Sequence, residues 1–196
     1  MSIDMVHDTQ KVFRTILHCM SRPGTIESLK EVTDRLTTAV ESLPGTFVTA
    51  LTILDREASF AVVGLDTKKT EELMVAYTMA AQEKISEADY VFITKEAAKE
   101  QIADVFQQVK IGTLEDPQQS ATIIFETEFS QGGKWSLAGP GIKTTREVSI
   151  HDECEWLEAR NNLNKEFPLG IDMIFVDELS NVMCLPRTTV IKRCEV

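Results

Sequence analysis

Asp172 and Arg187 are charges set inside apolar sequence, which makes them the first candidates for chemistry. Asp172 sits between Phe167-Pro168-Leu169-Gly170-Ile171 and Met173-Ile174-Phe175, and Arg187 lies within Leu185-Pro186-Arg187-Thr188-Thr189-Val190. In both segments a proline orders the approach to a stretch that reads as a strand. An isolated buried charge is expensive, so opposite charges on adjacent strands are expected to pair, buried or half-buried. A second reading assigns Arg187 to an anion. Its planar fork, the hydroxyls of Thr188 and Thr189 and nearby backbone amides are the parts of a phosphate cradle. Extended backbone would point Thr188 and Thr189 to opposite sides, so only one joins Arg187 at a time. Both readings stand on the sequence.

Other chemistry was sought in the remaining motifs. Gly132-Gly133-Lys134 fails as a phosphate-binding loop, because Glu128 and Trp135 stand where glycine and Ser or Thr are required. It reads as a hairpin turn. No Gly-x-Ser-x-Gly elbow is present, and Gly139-Pro140-Gly141 lacks the flanks of a dinucleotide fingerprint. His18 and Cys19 are neighbours on a helix, about 100° apart, and do not face each other. His151, beside Asp152 and Glu153, reads as a solvated residue at a helix start. Cys19, Cys154, Cys184 and Cys194 are scattered and form no Cys-x-x-Cys pair, so they are expected as reduced thiols and not as a zinc site. No catalytic, cofactor-binding or metal-ligating set is expected.

Three groups of residues carry a resemblance. They are Phe13-Arg14, Leu17, Met20-Ser21 and Pro23-Gly24; then Gly132-Gly133, Leu137 and Gly139-Pro140-Gly141-Ile142; and last Phe-Pro-Leu-Gly-Ile-Asp ending at Asp172 with Pro-Arg-Thr-Thr ending at Thr189. In this order they resemble the PhnH family, a subunit of the bacterial carbon–phosphorus lyase machinery. Between about residues 30 and 120 no family motif is found. The resemblance implies a part, with other subunits, in displacing adenine from MgATP by an alkylphosphonate to give a ribose 1-phosphonate 5-triphosphate. It implies a homodimer in isolation and a larger hetero-oligomer in the cell. It also implies a fold like the large domain of type I pyridoxal-phosphate enzymes without that cofactor. Lys134, Lys143 and Asp172 are the residue types such a cofactor needs, but no motif distinguishes them. The alternative is a free-standing protein or enzyme that binds a small phosphate or nucleotide.

Composition and periodicity define what must position these residues. The chain has 196 residues, 43% hydrophobic and 26% charged, which suits a single domain over 1–196 with one substantial core. Its net charge of −11 argues against nucleic acid as a partner. No apolar run approaches the roughly 20 residues of a membrane span, and Asp4, His7 and Asp8 interrupt any signal pattern, so a cytoplasmic protein is expected. Residues 4–20 read as a helix burying Phe13, Ile16, Leu17 and Met20. A strand follows from Thr25 to Leu29. Pro44 opens a helix with Phe47, Ala50, Leu51 and Leu54 inside. Ser59 to Leu65 is a strand, and 68–81 a helix presenting Leu73, Ala76, Tyr77 and Ala80. Tyr90 to Ile93 is a strand, and Thr94 caps a helix presenting Ile102, Val105, Phe106 and Val109. Ala121 to Phe125 is a strand, then comes a hairpin around Gln131-Gly132-Gly133, a strand ending at Ile150, and a helix near 152–165 with Trp156 and Leu157 partly exposed. The two signature segments close the chain. Helices alternating with short apolar strands predict an α/β, three-layer αβα domain with a mixed sheet.

Overall fold

The computed structural model describes residues 3–38, 40–151 and 156–194. Continuous apolar strands need cover on both faces, and the chain supplies it in two layers. The first half gives α1 (His7–Ser21), β1 (Ile26–Ser28), α2 (Lys30–Thr33), α3 (Pro44–Ile53), β2 (Ser59–Val63), α4 (Lys68–Thr78), β3 (Ala81–Gln82), β4 (Tyr90–Ile93) and α5 (Lys99–Gln108). The second gives β5 (Thr122–Glu126), β6 (Phe129–Ala138), β7 (Arg146–Ile150), α6 (Trp156–Leu163), β8 (Asp172–Val176), β9 (Asn181–Leu185) and β10 (Val190–Arg193).

Seven strands form one mixed sheet in the order β1-β9-β8-β5-β4-β2-β3. The run from β8 to β3 is parallel, while β9 pairs antiparallel with β8, and β1 with β9. Alternation sends Val91, Ile93, Ile123, Phe125, Met173 and Phe175 into a core shared with Ile102 and Val105 of α5 and Trp156 of α6. A second sheet, β10-β6-β7, closes that side with Leu137, Val148 and Ile191. Phe92, Ile124, Ile174 and Cys184 point the other way, onto Val12 and Ile16 of α1, Phe47 and Leu51 of α3 and Met74 of α4. The α/β class, the mixed sheet and most strand positions therefore agree with the sequence reading.

Several elements do not. On α1 the buried face is Asp8, Val12, Ile16 and Cys19, while Phe13 and Leu17 are 52% and 56% exposed. The stripe is hidden in the sequence because it includes a carboxylate. Asp8 is buried only because Arg35 pairs with it at 2.8 Å and the Asp4 amide donates to it. On α4 the buried residues are Thr70, Met74 and Thr78; Leu73 packs half-buried on the same core, Ala80 is buried just past the helix, and Ala76 and Tyr77 of the expected face are exposed. Its threonines are both satisfied: Thr70 accepts the N–H of distant Glu41, and Thr78 donates to the Met74 carbonyl one turn back. Thr94 caps nothing. α5 begins after Ala98, whose N–H is held by Gln101.

The expected hairpin at Gln131-Gly132-Gly133 is absent. β6 runs unbroken from Phe129 to Ala138, and its register against β7 shifts between Gln131 and Trp135, so these glycines form a bulge. The turn between β6 and β7 falls instead in the connection that starts at Gly139-Pro140-Gly141. The start of the helix expected near 152–165 lies outside the described residues. Trp156 and Leu157 are buried at 1% and 7% exposure, against the expectation that they lie partly exposed.

Gly141 has φ +82°, and a Cβ there would run into the Ser21 carbonyl and Pro23. The β6–β7 connection thus rests directly on the end of α1. Gly141→Ala is expected to lower stability by about 1–3 kcal/mol, from left-handed strain plus this clash. Urea unfolding of the two proteins, read from the shift in midpoint at unchanged slope, checks this.

Candidate functional site

β8 opens at Asp172 and β9 closes at Leu185, with Met173 and Leu185 in register. The chain leaving β9 therefore passes Asp172 immediately. Pro186 to Thr189 is not a strand, as the sequence suggested, but a turn closed by the Thr189 N–H on the Pro186 carbonyl at 2.9 Å. A turn follows because Pro186 cannot donate to a ladder and fixes its own φ. Its first consequence is that the Arg187 N–H donates to Asp172 Oδ1 at 2.7 Å.

The structure brings Asp172 and Arg187 together as an ion pair, 23% and 17% exposed. Arg187 Nη2 and Nε donate to Asp172 Oδ2 at 2.7 and 3.2 Å. Nη1 donates to the carbonyls of Pro117 at 3.0 Å and Pro168 at 3.2 Å, and Nη2 also donates to Ser120 Oγ. A guanidinium has five N–H donors, and all five are used. Arg187 has no donor left for an anion, which weakens its part in a cradle. Thr188 is half-buried, and Thr189 is 2% exposed with an Oγ1 that has no partner.

Arg160, on α6, was missed by sequence reasoning. It is 1% exposed, donates Nη2 to the Pro186 carbonyl at 2.8 Å and Nη1 to the Thr189 carbonyl at 3.2 Å, and leaves Nε without a partner. Burial pushes its pKa down to about 10, opposed by the charge of Asp172. One turn on, Asn164 clasps Ile171 through both its N–H and its carbonyl, at 2.8 and 3.1 Å. A Cβ on Gly170 would strike Asn164, which is why glycine precedes Ile171-Asp172. The available signal was polar residues recurring on the core stripe of Trp156, Arg160 and Asn164, spaced four apart.

Cavities lie on both sides of the turn. One, of about 560 Å³, is lined by Asp55, Asp89, Tyr90, Ser120, Asp172 and Arg187 among others. It opens at the amino ends of β4, β5 and β8. There Asp89 bonds Lys110 at 2.6 Å, and the Ser59 and Lys110 bonds hold its carboxyl below the usual range although burial alone would raise it. The other, of about 400 Å³, is lined by Arg160, Thr188, Thr189, Lys192 and Phe167 among others.

Ligands of parallel sheets usually bind at the carboxyl ends of the strands, where the winding direction reverses. Here that point lies between β2 and β4, whose following helices α4 and α5 pack on opposite faces. Glu126 occupies the region. It is 2% exposed and accepts the Leu43 N–H at 2.7 Å and the Lys95 N–H at 3.1 Å. Burial raises its pKa, softened by the hydrogen bonds from those two amides. Both oxygens thus serve the loops before α3 and after β4.

The other residues singled out in the sequence lie elsewhere. His18 pairs with Glu27 at 3.2 Å, and His151 is exposed after β7. Asp152, Glu153 and Cys154 lie outside the described residues. Cys19 and Cys184 are buried free thiols, with Cys184 pushed well up by burial and then by Cys19. Cys194 is also free. Among the described residues no cluster of His, Cys, Asp or Glu could hold a metal. Lys134 and Lys143 are exposed on β6 and its connection to β7, and the Asp172 carboxylate is occupied by Arg187. These three do not make a pyridoxal-phosphate site.

The stretches that carried the resemblance meet in space. Arg146 Nη1 donates to the carbonyls of Arg22 and Pro23, Gln131 donates to Gly24, and β10 continues the Pro186–Thr189 turn onto Leu137 and Ala138 of β6. Residues 2–192 match the family model described as bacterial phosphonate metabolism protein (PhnH). The chain belongs to the PhnH family. It is 31% identical to the alpha-D-ribose 1-methylphosphonate 5-triphosphate synthase subunit PhnH of Rhizobium meliloti (strain 1021), over 97% of this chain and 93% of that one. It is also 37% identical to the putative C-P lyase subunit protein HtxG of Stutzerimonas stutzeri, over 41% of this chain and 42% of that one.

Asp172→Asn and Arg187→Met should each cost about 1–3 kcal/mol, less than a fully buried pair, and the double variant should lose less than the sum. Additive losses in urea titrations would show that the pair is uncoupled. For Glu126, a pKa raised by folding means the folded state binds the proton more tightly. Relative to Glu126→Gln, the natural protein should be most stable at low pH and lose stability as pH rises from the ordinary 4.5 through the raised folded-state value. Unfolding midpoints of both proteins across that window test the sign.

Proposed function

We propose that this chain is a subunit of the carbon–phosphorus lyase machinery, working in the assembly that makes alpha-D-ribose 1-methylphosphonate 5-triphosphate. The observation that carries this reading is the end-to-end match to a synthase subunit of that name. In the reaction envisaged, a phosphonate oxygen bonds to C1′ of the ATP ribose as the C1′–N9 bond breaks. Adenine leaves with the bonding electrons and takes up a proton. The chain's own part is support: it positions partners or substrate and does not supply the attacking group. The polar side chains around Asp172 agree with that role, because Arg187, Asn164 and Ser120 are committed to holding the backbone together.

A working place in the cytoplasm and a homodimer in isolation belong to the same proposal, as does kinship of the layered α/β fold with the large domain of type I pyridoxal-phosphate enzymes. No helix among the described residues is long and apolar enough to cross a membrane. Phe13 and Leu17 stand one turn apart on the outer face of α1, and such exposed apolar pairs are suited to burial against another chain.

The test is adenine release from MgATP and methylphosphonate. The purified chain alone should release none, and adding it to the remaining subunits of the assembly should restore release that they lack without it. Turnover by the chain alone, or full activity of the other subunits in its absence, would refute the proposal.

A further inference from the structure

The cavity of about 400 Å³ beside the Pro186–Thr189 turn has a charge balance unlike the rest of the molecule. Arg160, Arg187 and Lys192 line it, and among the described residues no Asp or Glu does. This occurs in a chain with net charge −11. Arg187 is matched by Asp172, but among the described residues no carboxylate pairs directly with Arg160, which donates only to the Pro186 and Thr189 carbonyls and to Asn161 Oδ1.

A guanidinium 99% removed from water and neutralised by carbonyl oxygens alone is a costly arrangement. One of its own donors and one neighbouring hydroxyl remain unsatisfied. Arg160 Nε has no acceptor, and Thr189 Oγ1, in a residue 2% exposed, has no partner. Buried polar atoms without partners are uncommon in native proteins, and here two of them belong to residues that line one cavity together with a surplus of positive charge. One wall is apolar, formed by Phe167, Leu169 and Val190.

We propose that this cavity binds a tetrahedral oxyanion of the phosphate class, held by Arg160, Thr189 and Lys192. The site uses the loop in which the sequence suggested an anion cradle, but with a different arginine. Arg187 shapes the turn, and Arg160 supplies the unmatched charge. Nothing in this assignment depends on the proposed function, since it rests on charge, burial and unmet donors. The anion can be inorganic or can carry an organic group, and the apolar wall would distinguish these by favouring the second.

The experiment is calorimetric titration of the full chain with inorganic phosphate, methylphosphonate and phenylphosphonate, with chloride at matched ionic strength as the control. At least one of the three should bind saturably where chloride does not. Phenylphosphonate binding more tightly than phosphate assigns the cavity to an organic phosphoryl group, and equal affinities assign it to the free ion. Arg160→Met should abolish binding but also removes bonds to two backbone carbonyls. Thr189→Val is therefore the decisive variant, because its lost hydroxyl makes no bond in the free protein. It should melt like the natural chain yet bind about tenfold more weakly, the loss of one charge-assisted hydrogen bond. Lys192→Met, at the exposed rim, should weaken binding less. Absence of saturable binding by all three anions overturns the assignment, and so does affinity that is unchanged in Thr189→Val.

Discussion

The need to satisfy a half-buried guanidinium governs how the chain closes. Arg187 spends all its donors on Asp172, Ser120 and the carbonyls of Pro117 and Pro168. Those partners come from the segment before β5, the segment before β8, and the first residue of β8. One side chain thereby fixes where two central parallel strands begin relative to the end of β9. Its worth lies less in the Coulomb attraction than in leaving no donor unmet, since an unpaired group in this position would carry its full desolvation cost.

α6 holds the same turn from behind. Arg160 grips the carbonyls at its two ends, and Asn164 grips Ile171 next to Asp172. The turn is thus clamped between a helix and a sheet, and it hands the chain on to β10 and the small sheet. The small sheet in turn rests on the end of α1 through Arg146 and Gln131. Stretches from the beginning, middle and end of the chain are in this way parts of one contact system, although each reads as an isolated turn in the sequence.

This places the candidate site at an unusual edge of the sheet. At the carboxyl ends of the parallel strands, Glu126 is committed to the Leu43 and Lys95 amides. The turn with its arginines lies at the amino ends, where Tyr90, Thr122 and Asp172 begin their strands. A role carried out beside other chains agrees with a site built from the closing loops of the fold and not from the helix-facing loops that parallel sheets usually employ.

By itself the sequence determined the α/β class, the positions of β2, β4, β5 and β8, and the family, because continuous β-branched and aromatic runs and paired Pro and Gly motifs are local signals; β9 was missed, since the strand was expected at the turn that follows it. It also singled out Asp172 and Arg187, since a charge within an apolar run is visible without any fold. Only the tertiary structure decided which faces were buried. Asp8 on α1 and Thr70 and Thr78 on α4 are core residues because distant partners or the helix backbone satisfy them, while Phe13 and Leu17 are left outside. Gly132-Gly133 became a bulge because β7 pairs across it, and Pro186–Thr189 became a turn that Asp172 anchors through the Arg187 amide. Arg160 was invisible for the same reason: a helical arginine reads as solvated until packing shows that it is buried and that no carboxylate among the described residues pairs with it.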